Sequence, residues 1–547
     1  MPVVTFDYND YINLLGYKID KDELLERLPM IGADLDKVEG DAISFEFFPN
    51  RPDLTSVEGI ARASRAFFGF EKGMKTYQLE QSDVIMNVDP SVNAVRPYVV
   101  TALVRNITMT DEFIASLMDM QEKLHFGLGR NRKKVAIGVH NYDAVQPPFT
   151  YKAADPDSVQ FVPLAKVESM TLKDILKKHE KGIDYAYLLD GFDKYPLIVD
   201  ANNNVLSFPP IINGVLTEVT PFTENLFIDI TGIDKKAVHY ALNIVTTALA
   251  ERGGKIFTTT VKYTENSELT PNLNPIKKEL SADYVNKILG TNMKTDEITE
   301  CLLKMGYQTN VGDSNKISVE VPAWRTDILH DIDLVEDVAV GYGYDKFNVD
   351  FPKTLTFGKV LPNNHLFESI RTIMIGLGFN EVTTFTLSNE RDEFTKMGLE
   401  LGNRPEIANP IGEDYSCLRV NLLPSILKLL AENRHHPLPQ QIYEVGIVAD
   451  EKFKNTHHVA GVKIDAKANF TECKSLIEAI FRDLGVDYKI SERNHPAFVK
   501  GRCATVMKNN EDIGYFGEMH PKTIMSFELE HPIIAFEIHA DALINNQ

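Results

Sequence analysis

The chain has 547 residues, 44% of them hydrophobic and 25% charged, which is too long for one core and implies several domains of ordinary globular composition. A net charge of −21 disfavours a general nucleic-acid binder, because phosphate is normally met by a basic surface. Cys301, Cys417, Cys473 and Cys503 form no C-x-x-C pair, the start MPVVTFDYNDY has no apolar leader, and no apolar run is long enough to span a membrane; together these fit a reducing, cytoplasmic setting.

Residues 1–80 read as a small mixed domain. Asp20–Leu28 has helical periodicity that Pro29 stops, and Ala42–Phe48 alternates as a strand. The string EFFPNRPDLTSVEGIARASRAFFG follows. Asn50-Arg51-Pro52-Asp53 is turn chemistry, and Asp53 or Thr55 is placed to cap a helix whose apolar side holds Ile60, Ala63 and Phe67.

Residues 83–262 read as a larger α/β region. Tyr98–Val104, Val135–Val139, Leu197–Val199 and Leu226–Ile230 are strand-like, whereas Asp111–Leu124 and Lys235–Ala250 are amphipathic helices. The basic run Arg130, Arg132, Lys133 and Lys134 reads as a solvated patch, and Gly127 and Gly129 lack the spacing of a phosphate-binding loop. Asp229 lies among Phe227, Ile228 and Ile230, where it either faces a pocket or caps the Thr231–Gly232 turn. His140 is either a structural imidazole or a base. No Ser-His-Asp or Cys-His pattern is visible in this stretch.

Residues 266–348 hold two helices, Ser281–Leu289 and Thr295–Met305, then the string ISVEVPAWRTDILHDIDLVEDVAVGYGYDKF. Ile317, Val319 and Val321 alternate as a strand until Pro322; a turn with Trp324, Arg325 and Asp327 leads into a helix from about Asp331. Asp333, Glu336 and Asp337 share a face of that helix, and Asp327 can fold back onto it. Such acids either complement the helix dipole or form a hard-cation site. Residues 355–547 contain a helix at Asn364–Leu377, a strand at Glu381–Leu387, a helix from about Pro424, and strands at Ile442–Val448, Ala504–Met507 and Ile533–Ile538.

These strings resemble one family in order along the chain. The P-x-W-R-x-D-I turn, followed by D-x-x-E-D and G-Y-G-Y, is similar to the B5 signature of the phenylalanyl-tRNA synthetase beta-subunit family. N-R-P-D with S-x-x-G-I-A-R resembles its B1 segment. LHFGLGRNRKKVAIGVHNYD and PPIINGVLTEVTPFTENLFIDITGID look like the B3/B4 domain of its archaeal and eukaryotic members. IYEVG, GRCATV and GYFGEMHP resemble its catalytic-like class II domain.

The resemblance implies a multidomain α+β and α/β chain. It has a B1-like domain at 1–80, a B3/B4 editing domain at 83–262, a B5 helix-strand module at 266–348, and an inactive class II synthetase-like antiparallel sheet domain at 355–547. It also implies an α₂β₂ heterotetramer that joins phenylalanine to tRNA(Phe) with ATP and Mg²⁺, with ATP and phenylalanine held by the alpha subunit. The acids carried over as Mg²⁺ ligands are Asp327, Asp333, Glu336 and Asp337, some of them acting through water because Mg²⁺ rarely takes four direct carboxylates. The editing domain would hydrolyse tyrosyl-tRNA(Phe). An apolar pocket rejects an added hydroxyl only modestly, so a second site with a partner for the phenol does better. Asn213, Thr217, Asp229, Thr231 and His140 are the candidates. The last domain has Glu444-Val445-Gly446 where class II enzymes keep an ATP-binding arginine, and Gly517-Glu518-Met519-His520 lacks their third motif. Two alternatives stand beside this reading: a non-catalytic scaffold that docks tRNA, and a stand-alone deacylase.

Overall fold

Period-two alternation at the start of the chain builds a small antiparallel sheet from β1 (Val3–Asp7), β2 (Ala33–Glu39) and β3 (Ala42–Phe47), in the order β1-β3-β2. The computed structural model describes residues 2–311, 315–351, 356–450 and 452–544, and the chain divides into two units, Met1–Asp350 and Phe351–Gln547. Helices α1 (Tyr8–Leu15), α2 (Lys21–Arg27) and α3 (Val57–Phe67) cover the small sheet; past α2 the chain tightens into a 3₁₀ turn through Pro29.

The cap of α3 is Ser56, not Asp53 or Thr55. Its hydroxyl accepts the Gly59 N–H at 3.3 Å. The two expected caps are committed elsewhere: Asp53 receives two hydrogen bonds from Arg51, both 2.8 Å, and the Thr55 hydroxyl donates to the Pro52 carbonyl. A Cβ on Gly59 would stand 1.8 Å from the Asp53 carbonyl oxygen, so only glycine lets α3 press on this turn. The polar side of α3 is also buried: Glu58, Arg62, Ser64 and Arg65 are covered along with Ile60.

The centre of the first unit is a large mixed sheet. Its strands are β4 (Leu79–Val88), β5 (Tyr98–Arg105), β6 (Val135–Asn141) and β7 (Phe149–Ala154); after a short pair, β8 (Gln160–Phe161) with β9 (Met170–Thr171), come β10 (Tyr195–Val199), β11 (Val205–Phe208), β12 (Ile212–Asn213), β13 (Leu226–Gly232), β14 (Lys255–Lys262) and β15 (Ser267–Thr270). The order is β12-β11-β10-β7-β4-β14-β5-β13-β6, with β15 on β14. Helices α4 (Asp111–Phe126) and α7 (Lys235–Glu251) close one face over Val104, Val139 and Ile228; α5 (Leu172–Lys178) and α6 (Glu180–Tyr185) lie in the connection between β9 and β10. Helix α3 packs on α7, where Arg65 pairs with Glu251 and Arg252 reaches Asp10 (2.6 and 2.8 Å) and Glu58 (2.7 Å).

A third sheet, β16 (Ile276–Ser281), β17 (Gln308–Val311) and β18 (Lys316–Val321), has the order β16-β18-β17. It carries α8 (Ala282–Leu289), α9 (Thr295–Lys304) and α10 (Asp331–Tyr342) around Val285, Leu302, Val319 and Leu334.

In the second unit, β19 (Asn380–Glu381), β22 (Gln440–Ala449), β23 (Asn455–Ile464), β24 (Lys489–Glu492), β25 (Phe498–Lys508), β26 (Glu511–Met519) and β27 (Ile533–His539) run in the order β19-β22-β23-β27-β26-β25-β24, antiparallel except for β19 with β22. Helices α11 (Pro362–Gly376) and α13 (Phe470–Leu484) pack over Phe516 and Phe536, whereas α12 (Leu423–Glu432) contributes to a second core with Val462 and Ala535; α14 (Pro521–Ser526) follows β26. The expected strand Glu381–Leu387 pairs only at its ends, as β19 and as β20 (Leu387–Ser388) against β21 (Cys417–Leu418). Between them Thr384 gives its N–H and hydroxyl to the Glu444 carboxylate (3.2 and 2.6 Å) instead of a strand ladder. No helix among the described residues is long and apolar enough to cross a membrane.

Candidate functional site

Strand β13 runs between β5 and β6, with every one of its residues buried, and its register sets Asp229 opposite Gly138. A Cβ on Gly138 would lie 2.2 Å from the Asp229 carboxylate and 2.8 Å from His140 Nε2, so glycine leaves the space that the acid occupies. Asp229 accepts from His140 Nε2 at 2.6 Å, and His140 Nδ1 meets the Thr217 hydroxyl at 2.7 Å. An ionised Asp229 only accepts, which puts the ring proton on Nε2 and leaves Nδ1 to receive the threonine hydroxyl.

Asp229, Thr217, Asn213 and Thr231 line one cavity of about 450 Å³, walled by Ile137, Val139, Phe208, Ile212 and Val219. The fold thus assembles the candidates from β6, β12, β13 and the turn after β12. Of Asp229's two alternatives, the pocket is realised. His140 is fully buried and does not line the cavity; it joins Asp229 to Thr217 from behind. Thr231 accepts from Arg96 Nε at 2.8 Å through its hydroxyl and from Nη2 at 2.7 Å through its carbonyl, and burial draws the Arg96 guanidinium down to about 10. Asn213 reaches the Val139 carbonyl at 3.4 Å.

Four further side chains of this cavity, Arg132, Glu122, His125 and Ser207, are not legible in the sequence. Arg132, read as part of a solvated patch, is buried; it donates to the Ile211 carbonyl at 2.9 Å and pairs with Glu122 at 2.5 Å. Arg130, Asn131 and Arg132 all have left-handed backbones (φ 47, 52 and 64), which turn the loop inward. The His125 ring and Arg132 hold the Glu122 carboxyl down to about 2 against its partial burial. Ser207 Oγ lines the cavity and has no hydrogen-bond partner among the described residues.

A second cavity, about 780 Å³, is bounded by Asn50, Arg51 and Pro52, by Gly127 and Leu128, and by Asp327, Asp333, Glu336 and Asp337. The four acids are together but differently employed. Arg325 grips Asp327 through Nε (2.9 Å) and Nη2 (2.6 Å) and reaches Asp337 at 2.6 Å, and the Tyr307 hydroxyl also donates to Asp337. Asp333 accepts the Leu329 and His330 N–H groups (2.7 and 2.6 Å) and caps α10. Glu336 is left with a carboxyl pushed up by burial and by Asp337, Asp333 and Asp327. Among the described residues no three His, Cys, Asp or Glu side chains are arranged to hold a metal ion. The set therefore does not form an all-protein cation shell: Arg325 takes both oxygens of Asp327 and one of Asp337, and backbone amides take one of Asp333.

In the second unit Glu444 is inside the sheet, paired with buried Arg419 at 2.8 Å, and Arg419 also binds the Ile447 carbonyl and the Thr384 hydroxyl. Gly517 and Met519 lie on β26.

Comparison with known proteins joins these regions. Residues 84–258 match the B3/4 domain, 278–344 the tRNA synthetase B5 domain, and 348–540 the phenylalanyl tRNA synthetase beta chain CLM domain. The phenylalanine–tRNA ligase beta subunit of Methanothrix thermoacetophila is 45% identical over 540 residues, covering 98% of this chain and 99% of that protein. The chain belongs to the phenylalanine–tRNA ligase beta-subunit family. The Methanosarcina barkeri beta subunit is likewise 45% identical over 546 residues, covering 100% of this chain and 99% of the relative. A crystal structure of an N-terminal fragment of the phenylalanyl-tRNA synthetase beta-subunit from Pyrococcus horikoshii is 38% identical with a TM-score of 0.61, over 62% of this chain and 99% of the fragment. In family terms the Asp229 cavity lies in the B3/4 region, the Arg325 cluster in B5, and the Arg419–Glu444 pair in the CLM region.

Proposed function

We propose that this chain is the beta subunit of a cytoplasmic phenylalanine–tRNA ligase of two alpha and two beta subunits, and that its own chemistry is hydrolysis of mischarged tyrosyl-tRNA(Phe). The alpha subunit binds ATP and phenylalanine and activates the amino acid; tRNA(Phe) docks on both. The observation that carries the hydrolytic part is Asp229, a buried carboxylate in the wall of a largely apolar cavity. A tyrosine ring gains the apolar walls and its phenol has an acceptor there, whereas phenylalanine would leave that acceptor unpaired. His140 and Thr217 hold the carboxylate in place as positioning residues. Both His140 nitrogens are engaged, which supports attack by a water held by polar groups and the substrate instead of a serine nucleophile. Water adds to the ester carbonyl carbon, the bond to the ribose oxygen breaks, and that oxygen takes the proton, releasing tyrosine and tRNA.

In the assembled enzyme, Asp229→Asn should slow tyrosyl-tRNA(Phe) hydrolysis about 10- to 100-fold, the worth of one charged hydrogen bond. Phenylalanine-dependent ATP–pyrophosphate exchange should not change. Undiminished hydrolysis would remove Asp229 from the site.

The burial of Glu444 against Arg419 supports an inert role for the second unit, since the carboxylate stands in place of a phosphate-binding arginine and its neighbouring cation is spent on it. Magnesium enters this proposal only as a hydrated ion beside Glu336, and no reaction step passes through it. Glu336→Gln should weaken Mg²⁺ retention about tenfold in equilibrium dialysis; equal retention would withdraw the ion.

A further inference from the structure

A third cavity in the first unit is cationic, and no part of the reading above uses it. It is about 210 Å³ in volume, and Arg51, Arg62, Arg65 and Arg325 are all in its wall, with Lys72 and Lys75 beside them against the acids Asp53 and Glu71. All four arginines are buried. Three have carboxylate partners: Arg51 holds Asp53, Arg65 holds Glu251, and Arg325 holds Asp327 and Asp337.

Arg62 is different. Only 6% exposed, it has no ion pair among the described residues; its Nη1 reaches the Tyr77 hydroxyl at 3.4 Å, and its guanidinium lies 4.4 Å from the centre of the Trp324 ring. Among the described residues its Nη2 is buried without a hydrogen-bond partner, and so is Nη1 of Arg325, which is 3% exposed. Both arginines line the one cavity, and a guanidinium nitrogen desolvated without an acceptor is costly. The acceptor that suits several arginines at once is a tetrahedral oxyanion.

We infer that this cavity binds a free phosphate-class oxyanion between Arg62 and Arg325. A free anion fits better than a nucleic-acid strand, because the arginines are recessed and the neighbouring lysines are spent on Glu300 and Glu71. The inference rests on this geometry and is independent of the hydrolytic reading.

Trp324 is the only tryptophan in the chain and is stacked on Arg62, so its fluorescence reports on the site. Potassium phosphate titrated into the full chain at constant ionic strength should give a saturable change in emission that potassium chloride does not. Arg62→Gln should weaken the apparent affinity about tenfold or more, with Arg62→Lys intermediate. A phosphate response indistinguishable from chloride overturns the inference, and that titration needs no variant. A response unchanged in folded Arg62→Gln overturns it too, placing the anion elsewhere. A response to tRNA but not to phosphate would overturn the free anion in favour of a backbone phosphate.

Discussion

Replacing Gly138 with alanine is expected to cut tyrosyl-tRNA(Phe) hydrolysis by about a hundredfold or more, the usual result of displacing a positioned group by an ångström. The added methyl would stand 2.2 Å from the Asp229 carboxylate and 2.8 Å from His140 Nε2. Neither has room to yield, since Asp229 and His140 are both buried and bonded to each other. The carboxylate must rotate off His140, or β6 must separate from β13. Overpacking of this kind costs about 1–3 kcal/mol of stability, so the fold should survive. Deacylation measured beside ATP–pyrophosphate exchange separates the outcomes: loss of the first alone locates the chemistry at Asp229. If both persist, the cavity is not where the ester is cut.

The largest stability effect is expected at Arg325. Arg325→Met keeps most of the side-chain volume but leaves Asp327 and Asp337 facing each other in a buried site, with Tyr307 donating to the second. Removing one partner of a buried ion pair typically costs about 3–5 kcal/mol, because the remaining charge is uncompensated. Urea unfolding should show that loss in the transition of the first unit, and Asp337→Asn in the same chain should restore part of it. A loss below about 1 kcal/mol would mean that water reaches these acids and that the pair behaves as an exposed one.

Alternation and helical periodicity made most elements readable. Asp229 is an instructive case: its place among Phe227, Ile228 and Ile230 marked an acid on a buried strand, but the choice between pocket and turn cap needed its neighbour across the ladder, Gly138. Periodicity on α3 marks Ile60, Ala63 and Phe67 as its apolar side but does not show that Glu58, Arg62 and Arg65 are covered too, because α7, α9 and the Trp324 turn supply that cover from far later in the chain. Arg132 was misread for a related reason, since its left-handed loop carries it under Glu122. Glu381–Leu387 alternates like a strand, yet at its middle the Glu444 carboxylate takes the Thr384 N–H that a partner strand would have used.

The large sheet is entered at β4 and left through β14 and β15. Strand β4 lies parallel beside β14, and β15 then folds back along β14 until Thr270 stands across from Thr259. The way in and the way out are therefore close together, while the residues before and after, Arg51 with Asp53 and Trp324 with Arg325, share the wall of a single cavity. The middle of the chain behaves as a cassette spliced into a frame whose two margins already touch. Such an arrangement lets selection enlarge, trim or retune the insert while the frame keeps its own closure, with Arg65–Glu251, Arg252–Asp10 and Arg252–Glu58 among the fastenings that must be kept in step.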